Sequence, residues 1–76
     1  MKSRNNGSVT VEIFEQREMV YRDGKDHLAI IGWVSNEEVP VPVDFIVLKS
    51  LDTGEFSGAT VLDHRLLPDL LNHFFN

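Results

Sequence analysis

The sequence predicts an α+β domain, an antiparallel sheet of about four to five strands with one C-terminal helix packed on one face. Three observations carry that expectation. The 32 hydrophobic residues include nine Val, eight Leu, five Phe and four Ile, a set weighted toward strand formers. Between Val9 and Leu62 the apolar residues recur largely at every second position, the period of a strand with one face buried. From Leu66 onward Leu66, Leu67, Leu70, Leu71, Phe74 and Phe75 recur at intervals of one and three, the mark of one apolar helical face. Such a stripe requires an apolar sheet face to cover it. Seventy-six residues hold one core, which excludes a multidomain reading.

Met1 to Ser8 contains Lys2, Arg4, two Asn, a Gly and no apolar residue beyond Met1, too little to offset the entropy of ordering. A mobile, mildly basic tail is expected there, followed by a single domain over residues 9–76. Val9, Val11 and Ile13 alternate with Thr10, Glu12 and Phe14 in a first strand. Glu15, Gln16 and Arg17 interrupt the pattern, and Glu18 to Arg22 resumes it as a second. Asp23-Gly24 is the strongest hairpin signal in the chain, because Gly accepts the positive φ that a tight turn requires. His27 to Val34 follows as a third strand with His27, Ala29, Ile31 and Trp33 on one face and Leu28, Ile30, Gly32 and Val34 on the other. Both faces are apolar, which predicts a central strand.

Ser35 to Glu38 is a polar connection, and the alternating prolines of Val39 to Val43 remove backbone donors and limit that stretch to a loop or an edge. Val43 to Leu51 is the fourth strand, ended by Asp52-Thr53-Gly54-Glu55. Phe56 to Leu62 is a fifth, with Gly58 marking a bulge or a close backbone approach. Asp63 is placed to cap a first helical turn, and Pro68 fits only near a helix start.

Twelve Asp and Glu against seven Lys and Arg give a net charge of -5, and leaving out Lys2 and Arg4 takes the rest of the chain to -7. That balance opposes sequence-independent binding to phosphates, so no direct nucleic-acid partner is expected. No segment reaches the length of a membrane span, and Met1 to Asn6 leads into no apolar signal core, which predicts a cytoplasmic protein without a membrane partner. The absence of cysteine removes disulfides, thiolate nucleophiles and cysteine-ligated zinc. His27, His64 and His73 lack the spacing of a metal site, and His64 and His73 are expected on the polar face of the helix. The five glycines are scattered singly, unlike a phosphate-binding loop. No catalytic residue, cofactor or metal is assigned, and a non-enzymatic protein is expected.

Lys2, Arg4, Arg17, Tyr21, Arg22 and Trp33 are the candidate partner-binding residues. Tyr21 and Trp33 flank the Asp23-Gly24 turn and are expected to approach one another across the hairpin, rimmed by Arg17, Arg22 and Lys25. Aromatics and Arg are the side chains most enriched among binding hot spots. The tail cations would guide encounter with a partner and the aromatics would hold it.

Three resemblances bear on function. In size, acidic charge and lack of catalytic motifs the chain is similar to small phage-encoded proteins that bind and redirect bacterial RNA polymerase. That resemblance implies a protein-binding regulator that docks on the polymerase in the host cytoplasm, with inhibition of transcription or antitermination as its effect. Tyr21 to Trp33, followed by the Leu66 to Phe75 helix, looks loosely like a chromodomain, which implies a small peptide-reading module. Asp52-Thr53-Gly54, preceded by the apolar Phe45 to Leu51, resembles the active-site triplet of retroviral-type aspartic proteases and implies a dimer using Asp52 of each subunit. The plainer reading of the same triplet is a hairpin turn, since Asp and Gly are common turn residues.

Overall fold

The structure is a computed structural model that describes residues 9–75; the expected Met1–Ser8 tail lies outside them. Four strands form one antiparallel sheet in the order β1-β2-β3-β4: β1 Thr10–Val20, β2 Asp26–Ser35, β3 Val43–Ser50 and β4 Phe56–Val61. A 3-10 turn at His64–Leu66 runs into the helix α1, Leu67–Phe75. This is the predicted α+β layout, with four strands rather than five.

The first two predicted strands are a single strand. Glu15, Gln16 and Arg17 lie within β1 and pair with Ile31, Ile30 and Ala29 of β2. The break in the apolar pattern marks a bulge: Ile13 faces Gly32 and Glu15 faces Ile31, leaving Phe14 as the extra residue. Beyond the bulge β1 keeps its pairing without burying either face, so hydrogen bonding to β2 sustains what periodicity alone does not mark. The β1–β2 connection is also one residue longer than a two-residue turn. Tyr21 N–H donates to the Lys25 carbonyl at 3.0 Å and Gly24 N–H to the Tyr21 carbonyl at 2.9 Å, with Gly24 at φ +78°. This is the three-residue hairpin loop closed by a left-handed glycine.

The core lies between one sheet face and the helix. Ile30 and Val34 of β2, Phe45 and Val47 of β3 and Val61 of β4 are buried there beneath Leu66 and Leu70. Register explains the grouping, since Val34 faces Val43, Gly32 faces Phe45 and Ile30 faces Val47, and opposite residues share a face. Phe74 closes the far end against Phe45 and Phe56, at ring separations of 5.7 and 5.6 Å. The buried stripe of the helix is narrower than its sequence, as Leu71 and Phe75 stay largely exposed.

The proline-rich stretch is a loop, and its Val39 is buried in the core. Asn36 shapes it: its Oδ1 accepts from Val39 N–H at 2.6 Å and its Nδ2 donates to Asp69 Oδ2 at 2.7 Å, tying the loop to α1. Asp63 caps the 3-10 turn as expected, its Oδ1 accepting from Arg65 N–H at 3.1 Å. The bulge expected at Gly58 falls on its neighbour, because Leu48 faces Gly58 and Lys49 faces Phe56, leaving Ser57 unpaired with β3. Among the described residues no helix is long and apolar enough to cross a membrane.

Candidate protein-docking face

The helix covers one side of the sheet only. On the other side, register places the Thr10–Ser35 pair at one end and, after it, four further cross-strand rows. Glu12, Trp33 and Asp44 form the first; Glu15, Ile31, Ile46 and Thr60 the second; Arg17, Ala29, Leu48 and Gly58 the third; Met19, His27 and Ser50 the fourth. The bulged Phe14 joins this side, its ring 4.9 Å from that of Trp33 and tilted by 42°. Phe14 is 51% exposed, Trp33 43% and Ile46 44%, while Ile31 and Leu48 between them are partly covered. A solvated face of an antiparallel sheet ordinarily carries polar side chains. Here it carries the aromatic Phe14 and Trp33 beside the aliphatic Ile31, Ile46 and Leu48.

Local sequence explains why these residues face outward. Strict alternation turns the half-buried Val11 to the helix side and Thr10 and Glu12 out, and the bulge then sends both Phe14 and Glu15 to the open side. In β2 the inward phase belongs to Ile30 and Val34, which leaves Ile31 and Trp33 outward. In β3 Phe45 and Val47 take the core, which leaves Asp44 and Ile46 outward. A recess of about 40 Å³ beside Trp33, lined by Thr10, Glu12, Val34, Ser35 and Pro42, is far below the ~300 Å³ and more of a small-molecule pocket.

The charges on this face are unevenly distributed. Trp33 sits between two exposed carboxylates, Glu12 on β1 and Asp44 on β3, each its direct cross-strand partner. Arg17 is the one cation in the four rows, and its guanidinium is bonded to Glu15. Lys49 points to the helix side, its ammonium 5.5 Å from the Phe56 ring centre.

The residues singled out in the sequence are therefore split. Trp33 and Arg17 lie on the open face, Arg22 in the β1–β2 turn, and Lys2 and Arg4 outside the described residues. Tyr21 and Trp33 do not meet, contrary to the expectation of a cross-hairpin pair. Tyr21 packs on His27 at 5.1 Å, and Trp33 lies six residues further along β2, about 20 Å away at the rise of a strand. The expectation placed both beside the turn, but a ten-residue strand separates its own two ends. Phe14 and Ile46 were not singled out, although each stands on the outward phase of its strand, where an apolar residue has no core to fill.

Asp52 sits in the β3–β4 turn. Gly54 N–H donates to the Ser50 carbonyl at 2.9 Å with Gly54 at φ +78°, and Ser50 Oγ accepts from the N–H groups of Asp52 and Thr53 at 3.2 Å each. These are the bonds of a hairpin turn, and the Asp52 carboxylate is exposed on the rim of a depression of about 320 Å³ shared with Gly24, Lys25, Asp26 and Leu51. His64 and His73 are exposed, whereas His27 is buried with its Nδ1 3.0 Å from the Lys25 carbonyl, a contact in which Nδ1 must donate. Among the described residues no three His, Asp or Glu side chains gather as a metal site would need. The Asp63 carboxyl is displaced from its ordinary range. Its bonds from the Arg65 side chain and backbone hold it below that range, and the same pairing raises Arg65.

Comparison with known protein families, with curated proteins and with solved structures finds no match to this chain.

Proposed function

We propose that the protein is a non-enzymatic binding regulator that docks on a larger protein through the open face of its sheet. The observation that carries this reading is the cluster of exposed Phe14, Trp33 and Ile46 around the half-buried Ile31, on the side of the sheet that the helix leaves uncovered. Contiguous apolar surface with aromatic anchors is the composition of a binding hot spot, and its exposure in a domain this small incurs a free-energy cost unless a partner covers it. The similarity in size and charge to phage-encoded regulators makes bacterial RNA polymerase the first partner to test, with an effect on transcription in the host cytoplasm. The peptide-reader alternative gains nothing from the separation of Tyr21 and Trp33. The protease alternative gains nothing from the exposed, turn-bonded Asp52.

The test is capture from a bacterial lysate with two baits, the wild type and a folded Phe14→Ser, Trp33→Ser double variant, followed by binding of purified RNA polymerase to each. Retention of polymerase by the wild type and its loss with the double variant is the expected result. Equal retention by both baits would remove the open face from the reading.

A further inference from the structure

We infer that the occupant of the open face is a basic segment of a partner protein, which lays an arginine side chain over Trp33 between Glu12 and Asp44. The inference rests on the docking reading above and goes beyond it by naming the chemistry of the partner. Three features of the face converge on it. Trp33 presents an exposed indole, and a guanidinium stacks favourably on such a ring through both its charge and its planar shape. Glu12 and Asp44 flank the ring from the neighbouring strands, where same-face side chains stand about 5 Å apart at Cβ. A cation centred on the indole is therefore within reach of a carboxylate on either side. The only cation in the rows, Arg17, is bonded to Glu15 one row below, so the Glu12–Trp33–Asp44 row carries two negative charges and no positive one.

The apolar part of the face fits the remainder of such a segment. Phe14, Ile31 and Ile46 adjoin Trp33 and can cover aliphatic side chains that neighbour the arginine, including its own methylene stem. A second copy of this chain is the poorer occupant. A two-fold pairing of open faces would bring Glu12, Glu15 and Asp44 of both copies into one interface with Arg17 as the only cation of each face, and the chain as a whole carries -5.

The sequence contains a single Trp, so its fluorescence reports this site directly. Three twelve-residue peptides with one Leu and Gly framework and three Arg, three Gln or three Glu are titrated against the full chain. The Arg peptide is expected to perturb Trp33 emission and the backbone amide resonances of Glu12, Trp33 and Asp44, binding at least about tenfold more tightly than the Gln or Glu peptides. A Glu12→Gln, Asp44→Asn double variant should lose that preference. A Glu18→Gln, Glu55→Gln variant, which removes the same net charge away from the face, should keep it.

Equal binding of the three peptides, or equal loss in the two variants, would overturn the basic occupant and leave docking at this face standing. No perturbation of Trp33 by any peptide would also overturn it, and the two-bait capture then decides separately whether the face docks at all. Sedimentation that reveals a dimer with Trp33 shielded would overturn it in favour of a second copy.

Discussion

Gly32 is the position where one methyl group decides whether β1 can lie on the sheet. A Cβ built there would stand 1.9 Å from the Glu12 carbonyl oxygen and 3.0 Å from the Ile13 Cα, both backbone atoms of β1 at the approach to its bulge. Glycine in a strand interior marks such close approaches, and the sequence shows the glycine without showing what comes near it. Gly32→Ala should therefore lower stability by about 1–3 kcal/mol or more, read as a shift of the urea midpoint, because backbone must move to admit the methyl. A shift of only a few tenths would mean that β1 does not pass over this position. Asp63 supports a pH-dependent expectation at the same scale. Its carboxyl is depressed chiefly by the bond from the Arg65 side chain, so the charged form stabilises the fold above the unfolded value near 3.8. That contribution fades as pH falls through the lower folded-state value. Asp63→Asn should lower the urea midpoint slightly at neutral pH, and the gap from wild type should close on acidification below that range.

The helix and the loop beneath it are the elements whose packing is most consequential. Leu70 is fully buried between α1 and the sheet, so Leu70→Ala should cost ~2–5 kcal/mol in a denaturant titration, enough to unfold a domain this small. A loss below ~0.5 kcal/mol would mean that α1 is not docked. Asn36 is the second test of the helix side. It satisfies Val39 N–H and meets Asp69 across 33 residues of sequence, and Asn36→Ala should cost about 1–3 kcal/mol by leaving those partners unpaired. The helix was legible because its stripe at 66, 70 and 74 repeats a period no strand shares. Asn36 was not, since a polar residue in a polar connection carries no mark of a partner so distant in the chain. The merging of two predicted strands into β1 has a similar origin: Gln16 and Arg17 are held by backbone bonds to β2, and backbone bonds leave no trace in side-chain pattern.

For the molecule as a whole, the consequential property is its sidedness. The helix α1 packs on one face of the four-stranded sheet, and the other face stays open with Trp33 and Phe14 toward the Ser35 end of β2. Partner binding should therefore respond to substitutions on the open face and ignore those in the β3–β4 turn. Asp52→Asn is expected to leave capture of the partner unchanged and to alter stability by no more than ~0.5 kcal/mol, as for an exposed turn residue whose backbone bonds persist. Loss of biological effect in a folded Asp52→Asn variant would reverse that expectation and return attention to chemistry at the turn.

The sequence by itself determined the class of fold, the place of the helix and both turn glycines, because periodicity and positive-φ demands are local and each is written within a few residues. It also showed that His27 to Val34 is central, since both phases of that strand are apolar. Only the tertiary structure decided which apolar residues form the core and which form a surface. Ile30 and Ile31 are alike as side chains, yet one meets Leu66 and Leu70 in the core cluster and the other faces outward beside Phe14, Trp33 and Ile46. The physical reason is that a single nine-residue helix covers one side of a sheet and no more, so an apolar residue's role is set by the face it falls on rather than by its own hydrophobicity.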